Sequence, residues 1–251
     1  MNYQTINVWY QEPAYYLQFN RPEANNAVND LMIEEFGHAL SMFEESATIV
    51  VLEGLPEVFC MGADFRGIYD NVSGKEQKEH NPEPVYDLWL KLASGPFITI
   101  SHVRGRANAG GVGFAAASDI VIADRTAQFS LSELLFGLFP ACVMPFLIRR
   151  VGFQKAHYMT LMTHPVPVEQ AHAWGLVDAF DDKSANILRK HLLRLKGLSK
   201  SAVAKYKGYM NEINDLLIKS KPLAVASNYE AFTDSRNLEK IFRFVENGRL
   251  S

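Results

Sequence analysis

Runs rich in β-branched and aromatic residues are confined to the first 131 positions of this 251-residue chain, and helical patterning fills the part beyond Pro140. That partition constrains the fold most, because each short apolar run needs a sheet to bury it. INVWY (Ile6–Tyr10) and YYLQFN (Tyr15–Asn20) flank QEPA, which reads as a hairpin turn. Asn29 or Asp30 caps a helix through about Glu45, with Leu31, Ile33, Phe36, Leu40 and Phe43 as its apolar stripe. TIVVLEG (Thr48–Gly54), FITISHV (Phe97–Val103), DIVIAD (Asp119–Asp124) and AQFSL (Ala127–Leu131) are the remaining strands expected. The helices expected later are Met144–Arg150, Gln154–Met162, Val168–Trp174, Ser184–Leu195, Ser199–Lys219 and Pro222–Phe232. The polar stretch Asn71–Pro84 reads as a mobile loop or lid. Together these predict a mixed α/β core over residues 1–195 and a helical region over 196–251, acting as one functional unit.

Composition narrows the function class. The chain is 48% hydrophobic and 21% charged with a formal net charge of −3, which argues against nucleic acid recognised through bulk charge. Lysine and arginine do gather in LRKHLLRLKGLSK (Leu188–Lys200), either as the solvated side of a helix or as a site for an acidic partner. Cys60 and Cys142 lack metal-ligand spacing and read as small buried hydrophobes in a reducing cytoplasm. MNYQTINVWYQ has no basic region before an apolar stretch, and no apolar segment approaches the roughly 20 residues of a membrane helix. A soluble cytoplasmic protein with no metal is expected.

The chemistry centres on NAGGVGFAAASD (Asn108–Asp119), where three glycines precede a run of small helix formers. A loop entering a helix leaves its first N–H groups unpaired at the positive end of the helix dipole. Gly110, Gly111 and Gly113 strip side chains from that turn, so either a ligand oxygen or a neighbouring strand can approach the bare backbone. VFCMGADF (Val58–Phe65) is a second glycine turn leading into a helix, and two turns can pinch one carbonyl oxygen between two donors.

FNRPEANNAVN (Phe19–Asn29), VFCMGADF, GRANAGGVGFAAASDIVIAD (Gly105–Asp124) and AQFSLSELLFGLFP (Ala127–Pro140) resemble, in order and spacing, the crotonase (enoyl-CoA hydratase/isomerase) superfamily. HPVPVEQAHAWGLVDAF (His164–Phe180) extends the resemblance over nearly the whole chain. It implies a spiral of ββα turns, a C-terminal helical trimerisation region, a homotrimer or hexamer, and an acyl-thioester substrate. It places the oxyanion hole on the backbone N–H groups of Met61 and Gly110. Hydratases of this superfamily commonly hold two glutamates; one position falls on Glu133, and the other on Gly113, where the acid is absent. Glu133 is the expected acid–base residue, and Asp64 is either a second catalytic acid or a structural cap. His102, Asn108, Arg104, Tyr86 and Tyr69 are the candidates for contacting a polar acyl group, with His102 also readable as a core histidine.

RPEANNAVND, VVLEGLPEVFCMGADF, SHVRGRANAGGVGF and SLSELLFGLFPACVMPFLIRR are similar, more narrowly, to the PksH-type dehydratases of polyketide β-branching cassettes. That similarity implies dehydration of a 3-hydroxy-3-methylglutaryl-type thioester to its 3-methylglutaconyl form. The substrate would ride on the phosphopantetheine of an acyl carrier protein, with no other cofactor. Glu23 stands where CoA-using relatives often carry a basic residue, which favours the carrier over free CoA. The alternatives are the decarboxylase of the same cassette, an acyl-CoA hydratase or isomerase, and a crotonase-fold binding module without catalysis.

Overall fold

The computed structural model describes residues 3–73 and 80–248. Six strands form the larger sheet: β1 (Ile6–Gln11), β2 (Ala14–Phe19), β3 (Ile49–Glu53), β5 (Ile98–Val103), β7 (Ile120–Ala123) and β10 (Ala179–Phe180), side by side in that order. The first two pair antiparallel through a turn at Glu12 and Pro13, and every later pair is parallel. Four short strands form a second sheet in the order β4 (Val58–Cys60), β6 (Arg106–Asn108), β8 (Gln128–Ser130) and β9 (Val166–Pro167). The chain alternates between the sheets: β3 then β4, β5 then β6, β7 then β8. Helices α2 (Phe65–Ser73) and α3 (Glu83–Ser94) follow the first pair, and α4 (Gly110–Ala117) follows the second. This is a spiral of ββα turns.

The middle strands β3 and β5 are buried on both faces, so Ile49–Leu52 is a continuous apolar run and the Thr99 and Ser101 hydroxyls that alternate on β5 are buried with partners at Leu92 and Ser118. Val50 and Leu52 of β3 face the main core, with Met32, Phe36 and Leu40 of helix α1 (Asp30–Phe43) and Leu88, Trp89 and Leu92 of α3. Ile49 and Val51, one residue out of phase, meet Leu188 and Leu192 of α8 (Ser184–Leu195) and Val203 of α9 (Lys200–Ile213) on the other face. Helix α4 is buried all round, so it has no polar face to display. The Asn29 side chain accepts from the Met32 N–H and caps α1.

The C-terminal helices differ from their expected bounds. Residues expected as one helix over Ser199–Lys219 are interrupted at Asn214, whose side chain accepts from the Leu216 N–H. The next helix, α10 (Leu216–Thr233), carries Pro222 inside it and contributes Leu217 and Ala224 to the main core. A last helix, α11 (Ser235–Asn247), lies beyond those expected, and so does α3, which takes the end of the polar stretch into a helix. Within that stretch residues 74–79 lie outside the described residues. Cys60 and Cys142 are buried free thiols. Among the described residues no helix is long and apolar enough to cross a membrane.

One ion pair crosses from the sheet to the helical region. Lys207 of α9 is buried and donates to Asp119 Oδ2 at 2.6 Å and to the carbonyls of Phe97 and Leu92 at 2.8 and 3.3 Å. Asp119 also accepts from the Thr99 N–H at 2.8 Å, so one carboxylate joins β5, the start of β7 and α9. Removing the ammonium strands those acceptors. Lys207→Ala should lower unfolding free energy by about 3 kcal/mol, near the low end for a broken buried pair because Asp119 keeps partial solvent contact. Urea denaturation measures it.

Candidate active site

A cavity of about 590 Å³ lies where the two glycine turns meet, lined by Met61, Asp64, Trp89, Asn108, Gly110 and Glu133 among others. Met61 follows the last residue of β4, and Gly110 opens α4, so its N–H has no acceptor within the helix. The turns touch: a Cβ on Gly62 would sit 2.6 Å from Ala109 Cβ and 3.1 Å from Gly110 N. Gly62 has φ +85°, in the left-handed region that glycine enters without strain. Ala109 holds φ +50° with ψ −116°, a strained conformation for a residue with a Cβ, at the point where the chain enters α4.

The three glycines of this turn serve three purposes. Gly110 lines the cavity and keeps the approach to its N–H open. Gly111 is a packing glycine, since a Cβ there would lie 2.1 Å from the Cys60 carbonyl oxygen. Gly113 is another, since a Cβ would lie 2.6 Å from Cη2 and Cζ2 of Trp89. Of the three, Gly110 is the one that lines the cavity. The space a side chain at position 113 would take is filled by an indole ring.

Glu133 begins a short 3-10 turn that ends at Gly137, whose φ of +79° closes it. Its side chain is 8% exposed, and Oε2 is buried without a hydrogen-bond partner. Burial pushes the carboxyl up to about 7, against the lowering effect of the Glu133 and Ser132 backbone N–H groups. Such a group holds and releases a proton near neutrality. Asn108 braces this end of the cavity: its amide donates to Ser132 Oγ at 3.0 Å and to the Met61 carbonyl at 3.4 Å, and it accepts from Ser130 Oγ at 2.7 Å.

Asp64 also lines the cavity, but its carboxylate is committed. It pairs with Arg21 at 2.9 Å and accepts from the Gly67 N–H at 3.0 Å, capping α2. The RPEANN loop is laced to the same turn, with Val28 N–H donating to the Gly62 carbonyl at 2.7 Å and buried Asn26 donating to the carbonyls of Val58 and Phe59. Glu23 stands exposed beside Arg21.

The other expected contacts lie elsewhere. His102 shares the parity of Ile98 and Ile100 on β5, so it faces α8, bonded to Glu53 at 2.7 Å and Ser184 at 2.8 Å. Arg104 turns its guanidinium to the Gly54 carbonyl. Tyr86 is fully buried and donates to the Leu217 carbonyl at 2.6 Å, while its helix neighbours Val85 and Trp89 take the cavity face. Tyr69 reaches α11, at Glu246 and Phe242. None of the four lines the cavity. The basic run's Leu188 and Leu192 are buried and its Arg189, Lys190 and Arg194 exposed, so it is a solvated helix face on the side of the sheet away from α3 and α4.

Several cavity residues were not expected from the sequence, and three of them carry polar groups that bear on the chemistry. Trp89 is one. His80, bonded to Asn228 at 2.9 Å and stacked on Phe232, is held below its usual range chiefly by burial. Arg106 is the only arginine or lysine lining the cavity among the described residues. It sits two residues before Asn108 on β6, and strand alternation puts both on one face.

The spiral of ββα turns thus brings two apposed backbone turns and a buried glutamate to one cavity. Residues 11–250 match the enoyl-CoA hydratase/isomerase family, and the chain belongs to it. It is 55% identical over 250 residues to the bacillaene synthase dehydratase PksH of Bacillus subtilis, covering 99% of this chain and 96% of that one. It is 32% identical over 191 residues to the 1,2-epoxyphenylacetyl-CoA isomerase of Escherichia coli, covering 70% of this chain and 71% of that one. The crystal structure of PksH from B. subtilis superposes with a TM-score of 0.97 over 99% of both chains at 55% identity. An enoyl-CoA hydratase/isomerase from Xanthobacter autotrophicus Py2, at 22% identity, shares the fold with a TM-score of 0.86 over 98% of this chain and 95% of that one. The chain is a PksH-type, enoyl-CoA hydratase-like dehydratase, a hydro-lyase.

The Glu133 carboxyl titrates higher folded than unfolded, so the folded state binds its proton more tightly. Its stabilising contribution is complete below the ordinary carboxyl range near 4.5 and is lost as pH rises through about 7. Glu133→Gln should therefore be more stable than the parent by roughly 3 kcal/mol at pH 8, with the gap closing toward pH 4.5. Denaturant titrations across that range check it.

Proposed function

We propose that this cavity dehydrates a 3-hydroxy-3-methylglutaryl-type thioester carried on an acyl carrier protein, giving the 3-methylglutaconyl-type thioester for polyketide β-branching. The observation that carries the reading is Glu133: one buried carboxyl, poised near neutrality, on the wall of a cavity where an indole fills the space a side chain at position 113 would take. The similarity to a bacillaene synthase dehydratase supports the polyketide setting.

Ionised Glu133 takes the proton from the carbon α to the thioester. The electron pair moves toward the thioester oxygen, where the Met61 and Gly110 N–H groups hold the developing charge; each such donor is worth roughly 2.7–4 kcal/mol in the transition state. Protonated Glu133 then gives its proton to the β-hydroxyl as the C–O bond breaks, releasing water and leaving the C=C bond. Asp64 acts indirectly by fixing the Met61–Asp64 turn through Arg21 and α2. Arg106 supplies the cation for the distal carboxylate, the role for which Arg104, His102 and Asn108 were the sequence candidates. The elimination calls on no cofactor beyond the carrier's phosphopantetheine. A trimer or hexamer is supported by exposed Phe153, Tyr158, Leu161 and Met162 on α6 (Phe153–Met162), an apolar group a monomer would leave in water.

Mass spectrometry of a hydroxymethylglutaryl-loaded carrier protein incubated with the enzyme should show loss of water. Loss of carbon dioxide from the methylglutaconyl form, without dehydration of the hydroxy form, would establish the decarboxylase instead. Glu133→Gln should slow dehydration by about 10²–10⁴-fold; unchanged turnover removes Glu133 from the mechanism. Arg106→Gln should raise KM roughly three- to tenfold for the substrate ending in a carboxylate and leave an uncharged 3-hydroxyacyl thioester unaffected. Steady-state kinetics on both substrates checks this.

A further inference from the structure

Among the described residues, two side-chain polar atoms of the cavity lining are buried without a hydrogen-bond partner: Oε2 of Glu133 and Nε1 of Trp89. The first belongs to the residue already given a role. The second has none. Trp89 is 3% exposed and fixed by edge-to-face contacts with Phe114 at 5.6 Å and Phe146 at 5.8 Å. Its Cζ2 lies 2.6 Å from the site a Cβ on Gly113 would take and 3.7 Å from that of Gly110. Cζ2 is therefore the indole atom nearest the Gly110 turn, and Nε1 is two bonds from it.

A buried N–H with no acceptor is unfavourable, and a phenylalanine would fill much of this room without stranding one. The indole N–H only donates, and an ionised carboxylate only accepts. A hydroxyl both accepts and donates, so one β-hydroxyl can satisfy the orphaned atoms of both residues. Resting on the dehydration reading above, we propose that Trp89 Nε1–H donates a hydrogen bond to the β-oxygen of the acyl group, taking the positioning place of the second glutamate. The indole proton is not transferred. It fixes the oxygen that Glu133 protonates and, unlike a carboxylate, it cannot take a proton from water.

The test uses pantetheine amides in place of thioesters, which bind without reacting, as a 3-hydroxyacyl and 3-deoxyacyl pair. Trp89→Phe should bind the 3-hydroxy amide roughly three- to tenfold more weakly and the 3-deoxy amide as the parent does. Equal losses on both, or none on either, would overturn the proposal. A second measurement does not depend on the variant folding. The chain has three tryptophans, so ¹⁵N-indole labelling gives three side-chain N–H resonances, with Trp9→Phe and Trp174→Phe assigning Trp89 by elimination. The Trp89 resonance should move downfield with the 3-hydroxy amide and not with the 3-deoxy amide; the same response to both sinks the assignment. If the parent enzyme dehydrates the carrier-bound thioester and the resonance does not discriminate, only the Trp89 proposal falls. If the parent removes no water, the dehydration reading falls and takes this one with it.

Discussion

The contact between Gly111 and the Cys60 carbonyl holds the working part of this protein together. No other residue allows α4 to approach the end of β4 so closely, because any Cβ would lie 2.1 Å from the carbonyl oxygen, well inside van der Waals contact. That approach brings Met61 and Gly110 to one cavity wall and presses the Ala109 backbone into a strained conformation. The surrounding network keeps it there. Asn26 grips the carbonyls of β4, Asn108 bridges Met61 to the serine before Glu133, and Asp64 ties the turn to Arg21. Each is a buried or half-buried polar group with its partners met, as a rigid site requires.

Around that wall the carboxylates divide by environment. Asp64 has an arginine and a backbone N–H, and Glu133 has an apolar surround and one unpartnered oxygen. Desolvation favours the neutral form of Glu133, whereas the Asp64 side chain is occupied by Arg21 and the α2 cap, so the two acids are suited to different tasks within one cavity. The glutamate can exchange a proton near neutral pH; the aspartate is held as an anchor.

Much of this was legible in the chain. The apolar runs at β3 and β7 and the β-branched run at β5 announced strands of a buried sheet, and Asn29 announced the start of α1. The resemblance of four motifs to the crotonase superfamily implied the spiral, and it put forward Met61, Gly110 and Glu133 as candidate site residues. Side-chain direction was less legible. His102 turned out to follow Ile98 and Ile100 toward α8, which the period of a strand already implies. Arg104 and Tyr86 each sit beside the residue that reaches the cavity, Arg106 two positions on in the chain and Val85 one position back. Helix α3 and its Trp89 were hidden because a polar stretch with proline runs into them, and the break at Asn214 because a local side-chain bond decides it.

By itself the sequence determined which backbone turns can come close, through glycine at positions 62, 110 and 111, and which acid is available, through Glu133 with none at Gly113. What occupies the space that Gly113 leaves was decided only by tertiary structure. Packing α3 against α4 puts an indole from 24 residues earlier in the chain into that space, where no periodicity or motif links the two positions. Tertiary packing also buries Glu133 and raises its proton affinity, since desolvation depends on what surrounds a side chain and not on its neighbours in sequence.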